Sequence, residues 1–154
     1  QLEIGIGSVS QQLEADDPMA AAGLHVLLAE LNSSNAGAHL QKSYQLSPDT
    51  VEVLIKLAEN ALDSGGSLTQ VEEALAEQVN QGGHKKYQQY QLMLVWAKFQ
   101  LAKQDWRGAL DSLERALATK QTKHDAELHS LLAQVYAELG LNILADEHRN
   151  LAGE

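Results

Sequence analysis

Residues Met93–Leu117, MLVWAKFQLAKQDWRGALDSLERAL, decide the fold. Apolar residues recur at helical spacing on both sides of a polar break around Gln104 and Asp105, so the stretch predicts two helices joined by a tight turn. Ala97, Ala109 and Ala116 stand where the two helices must approach closely. Trp96, Leu101, Trp106, Leu110, Leu113 and Leu117 supply the apolar faces. Asp105 is the expected cap of the second helix, because its carboxylate can accept from the unpaired N–H groups of the first turn. The first helix is expected over roughly Lys86 to Lys103.

The same pattern recurs on either side. Toward the C-terminus, HDAELHSLLAQVYAELG places Leu128, Leu131, Leu132, Val135, Tyr136 and Leu139 on one helical stripe, ended by Gly140. The last helix, LNILADEHRNLA, keeps Leu144, Ala145 and Ala152 but carries His148 and Arg149 where a further repeat would want bulk, which predicts a solvent-facing cap. Toward the N-terminus, Val51, Leu54, Leu57, Ala58, Ala61 and Leu62 form a stripe ended by Gly65 and Gly66, and Leu68, Val71, Leu75 and Val79 form its partner, ended by Gly82 and Gly83. Ser67 and Thr69 are expected to cap that partner, and Asp49 with Glu52 offers a capping-box variant for the stripe before it. An earlier pair is expected over Pro18–Leu31 and from Ala36 to Leu46, separated by the polar break Asn32 to Asn35. Pro18 suits a first helical turn, where its missing N–H has no partner to lose. Residues 1–17, with two glycines in QLEIGIGSV, read as an extended arm or a frayed helical lead-in to a repeat domain over 18–154.

These hairpins resemble the tetratricopeptide repeat, a helix-turn-helix unit with Trp, Leu, Gly and Tyr in its first helix and Ala, Phe and Pro in its second half. Leu132-Ala133, Tyr136, Gly140 and Ala145 fall at the family spacing, and Trp96-Ala97, Ala109, Leu113 and Ala116 occupy the corresponding places one unit earlier. Leu54, Leu57-Ala58, Ala61 and Gly65 match the first half of another unit, with Val71 and Leu75 in its second helix. Ala36, Leu40 and Pro48 match the closing half of the first. Gln104 replaces the turn glycine, while Phe99 and Gln100 replace a small residue and the Tyr, which predicts local repacking. The small residues Ala58, Ala97 and Ala133 are 39 and 36 residues apart, more than the family period, and GGHK and KQTK are turns that can absorb the excess. The resemblance implies an all-α chain, a right-handed α-solenoid of about four stacked antiparallel helical hairpins. An ordinary helical bundle with alanine-rich contacts is the competing architecture.

Composition narrows the function. With 154 residues there is room for one continuous core. A formal charge of −10 opposes binding to nucleic acid or to anionic lipid. No apolar run is long enough to span a bilayer, and the first ten residues lack the pattern of a signal peptide. The absence of cysteine leaves both cytoplasm and periplasm open. None of the six histidines has ligand spacing: His124 and His129 are five apart, and His25, His39, His84 and His148 read as surface or packing residues. The glycine pairs at 65–66 and 82–83 lack the strand and the Lys-Ser/Thr of a phosphate loop. No catalytic, cofactor or metal site can be assembled, and a non-enzymatic role is expected.

In tetratricopeptide proteins a concave groove is lined by variable positions of each first helix. By register these are Glu52, Ile55, Glu59, Leu62 and Asp63; then Gln91, Leu94, Lys98, Leu101 and Ala102; then Glu127, Ser130, Gln134, Ala137 and Glu138. The resemblance thus implies a protein-interaction scaffold with an acidic groove carrying apolar patches. Glu59 and Gln134 stand where a carboxylate clamp would need Lys and Asn, so a basic or amphipathic peptide or helix fits better than a chaperone tail. A regulatory or substrate-positioning domain of a larger enzyme or assembly complex is the alternative. Homo-oligomerisation through exposed helix faces is a third route to function.

Overall fold

The computed structural model describes residues 2–31, 34–65, 69–119 and 125–154. The described residues form nine α-helices and no strand: α1 (Leu2–Asp16), α2 (Pro18–Leu31), α3 (Ala36–Leu46), α4 (Val51–Ser64), α5 (Thr69–Gln81), α6 (Lys86–Ala102), α7 (Trp106–Ala118), α8 (Ala126–Glu138) and α9 (Asn142–Ala152). They fall into two compact units, Gln1–Ala74 and Leu75–Glu154, with the boundary inside α5. The expected breaks at Asn32 and Ser33, the cap at Ser67, and the KQTK turn with His124 lie outside the described residues.

In the N-terminal unit α1 packs on α2, α2 on α3 and α3 on α4. The first stretch is thus helical, its two glycines notwithstanding, and of the two expectations for it the helix describes it. Asp17 accepts from the N–H of Ala20 at 3.1 Å, which starts α2 behind Pro18. Close approach of α2 and α3 follows from small residues. Ala21 and Ala22 are buried, and the buried Ser43 hydroxyl donates to the Ala22 carbonyl at 2.8 Å. Ala29, Ala36 and Leu40 form a small core against which Val26 and Leu57 pack. The N-cap of α4 is Thr50, not Asp49: Thr50 is in extended backbone directly before the helix, and its hydroxyl bonds Ser47 at 2.7 Å instead of capping. Gly65, at φ 65°, ends α4 in the left-handed conformation that the glycine expectation required.

The expected hairpin of α4 with α5 does not form a packed pair as α2 with α3, α6 with α7 and α8 with α9 do. Both helices form where the stripes placed them, yet a cleft of about 470 Å³ lies among Leu54, Leu57 and Ala61 of α4, Val71 and Ala74 of α5, and Tyr44 of α3. Alanines at positions 61 and 74 fill little of the space between these helices.

The C-terminal unit pairs α6 with α7, α7 with α8 and α8 with α9. Ala97, Ala109 and Ala116 have no exposed surface, as the spacing demanded. The apolar faces differ from the first expectation. Leu113 is buried, but Trp96, Leu101, Trp106 and Leu110 are half-buried and Leu117 is 38% exposed. Buried positions of α6 go round the helix instead, through Leu92, Met93, Leu94, Val95, Ala97 and Phe99, because it is covered on more than one side. Phe99 takes up that space at 1% exposure. Asp105 caps α7 through the N–H of Gly108 at 3.0 Å. Gln104, in the turn-glycine place, adopts φ 61°, a conformation that favours glycine.

Candidate partner-binding faces

Within the N-terminal unit, α4 carries the implied groove residues at intervals of three and four, so they share one side of the helix. Glu59 and Asp63 are exposed at the rim of a cleft of about 220 Å³. Val26 and Ala29 of α2 and Ala36 and Leu40 of α3 give that cleft an apolar lining. Lys56 and Glu30 complete the rim and bond each other, Nζ to Oε1, at 3.1 Å. Glu52 and Leu62 are half-buried. Ile55, at 4% exposure, is a core residue and presents nothing to a partner. The structure therefore brings Glu59 and Asp63 together and withdraws Ile55. Glu30 and Lys56 were missed, although Lys56, Glu59 and Asp63 fall at i, i+3 and i+7 and could have been read as one stripe.

In the C-terminal unit the implied positions lie on α6 and α8. Lys98 forms an ion pair with Glu127, joining these two helices. Ser130 donates to Glu154 at 2.6 Å. Gln91, Gln134 and Glu138 are exposed, Leu101 is half-buried, Ala102 is exposed and Ala137 half-buried, while Leu94 belongs to the core. Sequence reading missed a second tie between α6 and α8, from the Tyr90 hydroxyl to the Asp125 carboxylate. Burial of the phenol and its bond to Asp125 push the Tyr90 pKa upward. Burial opposes ionisation of Asp125, but Tyr90 and the N–H groups of Leu128 and Glu127 outweigh it and hold the carboxyl below its ordinary value. Asp125 is therefore a charged N-cap of α8, accepting from Leu128 at 3.1 Å. Asp followed by Glu two residues later, before an apolar stripe, was the available signal.

Behind these faces three hairpins are closed by side chains at equivalent places. The Tyr position of the repeat pattern, three residues after the small one, is occupied by His25 after Ala22, Gln100 after Ala97 and Tyr136 after Ala133. Each meets the residue three beyond a buried alanine in the first turn of the partner helix: Ala36, Ala109 or Ala145. His25 meets His39 with Nδ1 atoms 3.3 Å apart, Gln100 accepts from the Ser112 hydroxyl at 2.6 Å, and Tyr136 stacks on His148 with ring centroids 5.4 Å apart. His148 is thus half-buried, while most of α9 is exposed, as expected of a terminal solvent-facing helix. His25 and His148 were read as residues without ligand spacing. Among the described residues no group of three or more His, Asp or Glu side chains is placed to hold a metal ion. Nor is any helix among them long and apolar enough to cross a membrane.

The fold and these hairpin contacts define a tetratricopeptide-like helical-repeat chain. No protein-family model matches the sequence, and no curated protein matches it. Among solved structures it is similar to MamA. One MamA structure, designated MSR-1 C2, superposes with a TM-score of 0.65 at 17% identity, over 94% of this chain and 81% of that one. A second crystal structure of the MamA protein gives 0.64 at 20% identity, over 85% and 70%. A third gives 0.59 at 23% identity over 77% of this chain, and spans 66% of that MamA chain's length. Similarity at these identities is a likeness of fold.

Proposed function

We propose that this chain is a non-enzymatic protein-interaction scaffold, and that it holds a basic or amphipathic segment of a partner protein against its acidic helix faces. One observation carries the reading: Glu59 and Asp63 stand exposed over an apolar floor of Val26, Ala29, Ala36 and Leu40, in a cleft whose rim cation, Lys56, is engaged by Glu30. An amphipathic helix or strand with a Lys or Arg beside an apolar side chain matches that arrangement, the apolar group seated on the floor and the cation between the carboxylates. The fold supports it, because stacked helical hairpins recognise partners through such variable surface positions. Within the C-terminal unit, α6 and α8 offer a separate polar face of the exposed Gln91, Gln134 and Glu138, with Lys98 neutralised by Glu127.

Fluorescence anisotropy with a labelled amphipathic Lys-rich peptide tests the reading. Saturable binding is expected, with Glu59→Lys plus Asp63→Lys weakening it by about tenfold, roughly the effect of removing 1.4 kcal/mol, at an unchanged melting temperature. Equal affinity for the charge-reversed protein, or equal affinity of the wild type for an acidic peptide of the same apolar pattern, would end it. Self-association is a second reading, favoured by apolar side chains standing out of α9, where Ile143 is 79% and Leu151 58% exposed. Light scattering of wild type against Ile143→Ser plus Leu151→Ser distinguishes it: a mass above the monomer that these changes abolish supports it, and a monomer at all concentrations refutes it.

A further inference from the structure

The chain places stacked histidine pairs in two different hairpins, with His39 and His148 at equivalent places and His129 seven residues before the place that corresponds to His25. His25 of α2 faces His39 of α3, and His129 of α8 faces His148 of α9, with ring centroids 5.6 Å and 5.1 Å apart. In both, Nδ1 meets Nδ1, at 3.3 Å in the first pair and 2.9 Å in the second. Two imidazoles can share such a contact while one nitrogen carries the proton and the other offers its lone pair. When both rings are protonated, two N–H groups and two positive charges point at each other, and the contact turns from attraction to repulsion.

The surroundings of the pairs differ. His25 Nε2 lies 3.3 Å from a Glu14 oxygen on α1, and the other Glu14 oxygen pairs with Lys42 of α3 at 3.0 Å. A carboxylate at hydrogen-bond distance thus compensates positive charge on that pair. Around the second pair, His148 is stacked between His129 and the Tyr136 ring, whose hydroxyl reaches Glu114 of α7 at 3.4 Å. Glu147 on α9 and the α8 cap Asp125 act on this pair through space. Arg149 is engaged by Asp146, and Glu154 by Ser130.

We propose that the His129–His148 stack is an acid-sensitive latch, which holds α9 on α8 while at least one ring is neutral and releases α9 when both rings take a proton. The His25–His39 pair, buttressed by Glu14, keeps α2 and α3 together over the same range. The direction of the His148 pKa agrees: burial and the neighbouring His129 lower it, against the opposing pull of Glu147. Release of α9 uncovers buried apolar residues of α8 and so makes an acid-exposed surface from a neutral-pH interior.

Hydrogen exchange of the full chain, read as protection factors at pH 7.5 and 5.0, tests the latch. Protection of α9 amides is expected to fall several-fold at pH 5.0 while that of α3 amides holds. His148→Gln and His129→Gln, which keep a polar side chain without a titrating charge, should each remove the difference. An α9 protection factor unchanged between the two pH values, or a fall that persists in both variants, overturns the proposal. NMR titration of the wild type and of His129→Gln reads the pair directly. The His148 ring is expected to take its proton at lower pH in the wild type than in His129→Gln, and a His148 titration that the substitution leaves unchanged overturns it.

Discussion

The two units use the same device, an aromatic or polar side chain reaching from one helix of a hairpin to the next, and support it differently. In the N-terminal unit the His25–His39 pair has a carboxylate, Glu14, supplied by a third helix, and that carboxylate has its own cation in Lys42. In the C-terminal unit the His129–His148 pair has a phenol ring over it. Helix starts vary within each unit: α2, α7 and α8 are capped by Asp17, Asp105 and Asp125, whereas α3, α4 and α9 make no side-chain cap bond. In the N-terminal unit clefts reach buried apolar residues, Leu54 and Ala61 in one and Ala29, Ala36 and Leu40 in another. The C-terminal unit also has a cleft, of about 320 Å³, but it is lined by Lys86, Gln89, Arg115, Ala118 and Thr119 and not by buried core residues. Long-range bonds tie its helices too, Lys98 to Glu127 and Tyr90 to Asp125. A shared repeat pattern therefore sets where helices meet but not how firmly each meeting is held.

The largest test of that contrast is to empty equivalent core places. Leu113→Ala removes a side chain with no exposed surface, and Leu40→Ala removes one that is 6% exposed and already borders a cleft. Each should cost about 2–5 kcal/mol by chemical denaturation, with Leu113 nearer the upper end because its surroundings have less open space to adjoin. Equal costs would show that the clefts do not loosen the N-terminal core. Overpacking gives a related measure. Ala109→Leu, at a fully buried helix contact, should destabilise by about 1–3 kcal/mol, and an unaltered melt would show the α6–α7 contact to be slack.

Caps come next in size. Asp105→Ala should cost about 0.5–2 kcal/mol, and Thr50→Ala, which removes no cap bond, should cost less; the reverse order would undo the contrast in helix starts. The pH profile follows. Lowered in the folded protein, the His148 pKa means that the unfolded chain binds the proton more readily. Stability from the neutral ring is therefore full above about pH 6.5 and declines as pH falls through the lower folded value. Glu14→Gln should give α3 a similar acid sensitivity in hydrogen exchange; an indifferent α3 would mean that Glu14 does not support its histidines. The smallest effect runs the other way. Gln104→Gly relieves a left-handed residue in the α6–α7 turn and should add about 0.5–1 kcal/mol, measurable as a raised melting temperature.

Much of the helix grammar was legible because it is written locally. Pro18, Gly65 and Gly140 punctuate the chain by their own backbone chemistry, and the alanines at 97, 109 and 116 can mean little but close helix approach. What stayed hidden depends on partners distant in sequence. His148 looked like a surface residue until His129 and Tyr136 were placed around it, and Ala61 gave no hint of the cleft beside it, since a stripe records which residues face inward and not whether they fill the space. The first repeat went partly unread because Ala21-Ala22 and His25 stand in for Leu, Gly and Tyr, all three at once. Of the implied groove, the charged positions Glu59 and Asp63 came out on the surface, while Ile55 and Leu94 were drawn into the core by hydrophobic burial. Register within a repeat predicts a direction along the helix surface, and the apolar members of that direction are the ones the interior claims.

Asn60 borders the two clefts described in the N-terminal unit, and its Oδ1 lies 2.8 Å from where a Cβ on Gly37 would be. Its carboxamide is a partition between two chambers, pressed against bare backbone on one side. One side chain thus belongs to two linings, so a single substitution at Asn60 alters the shape of both at once.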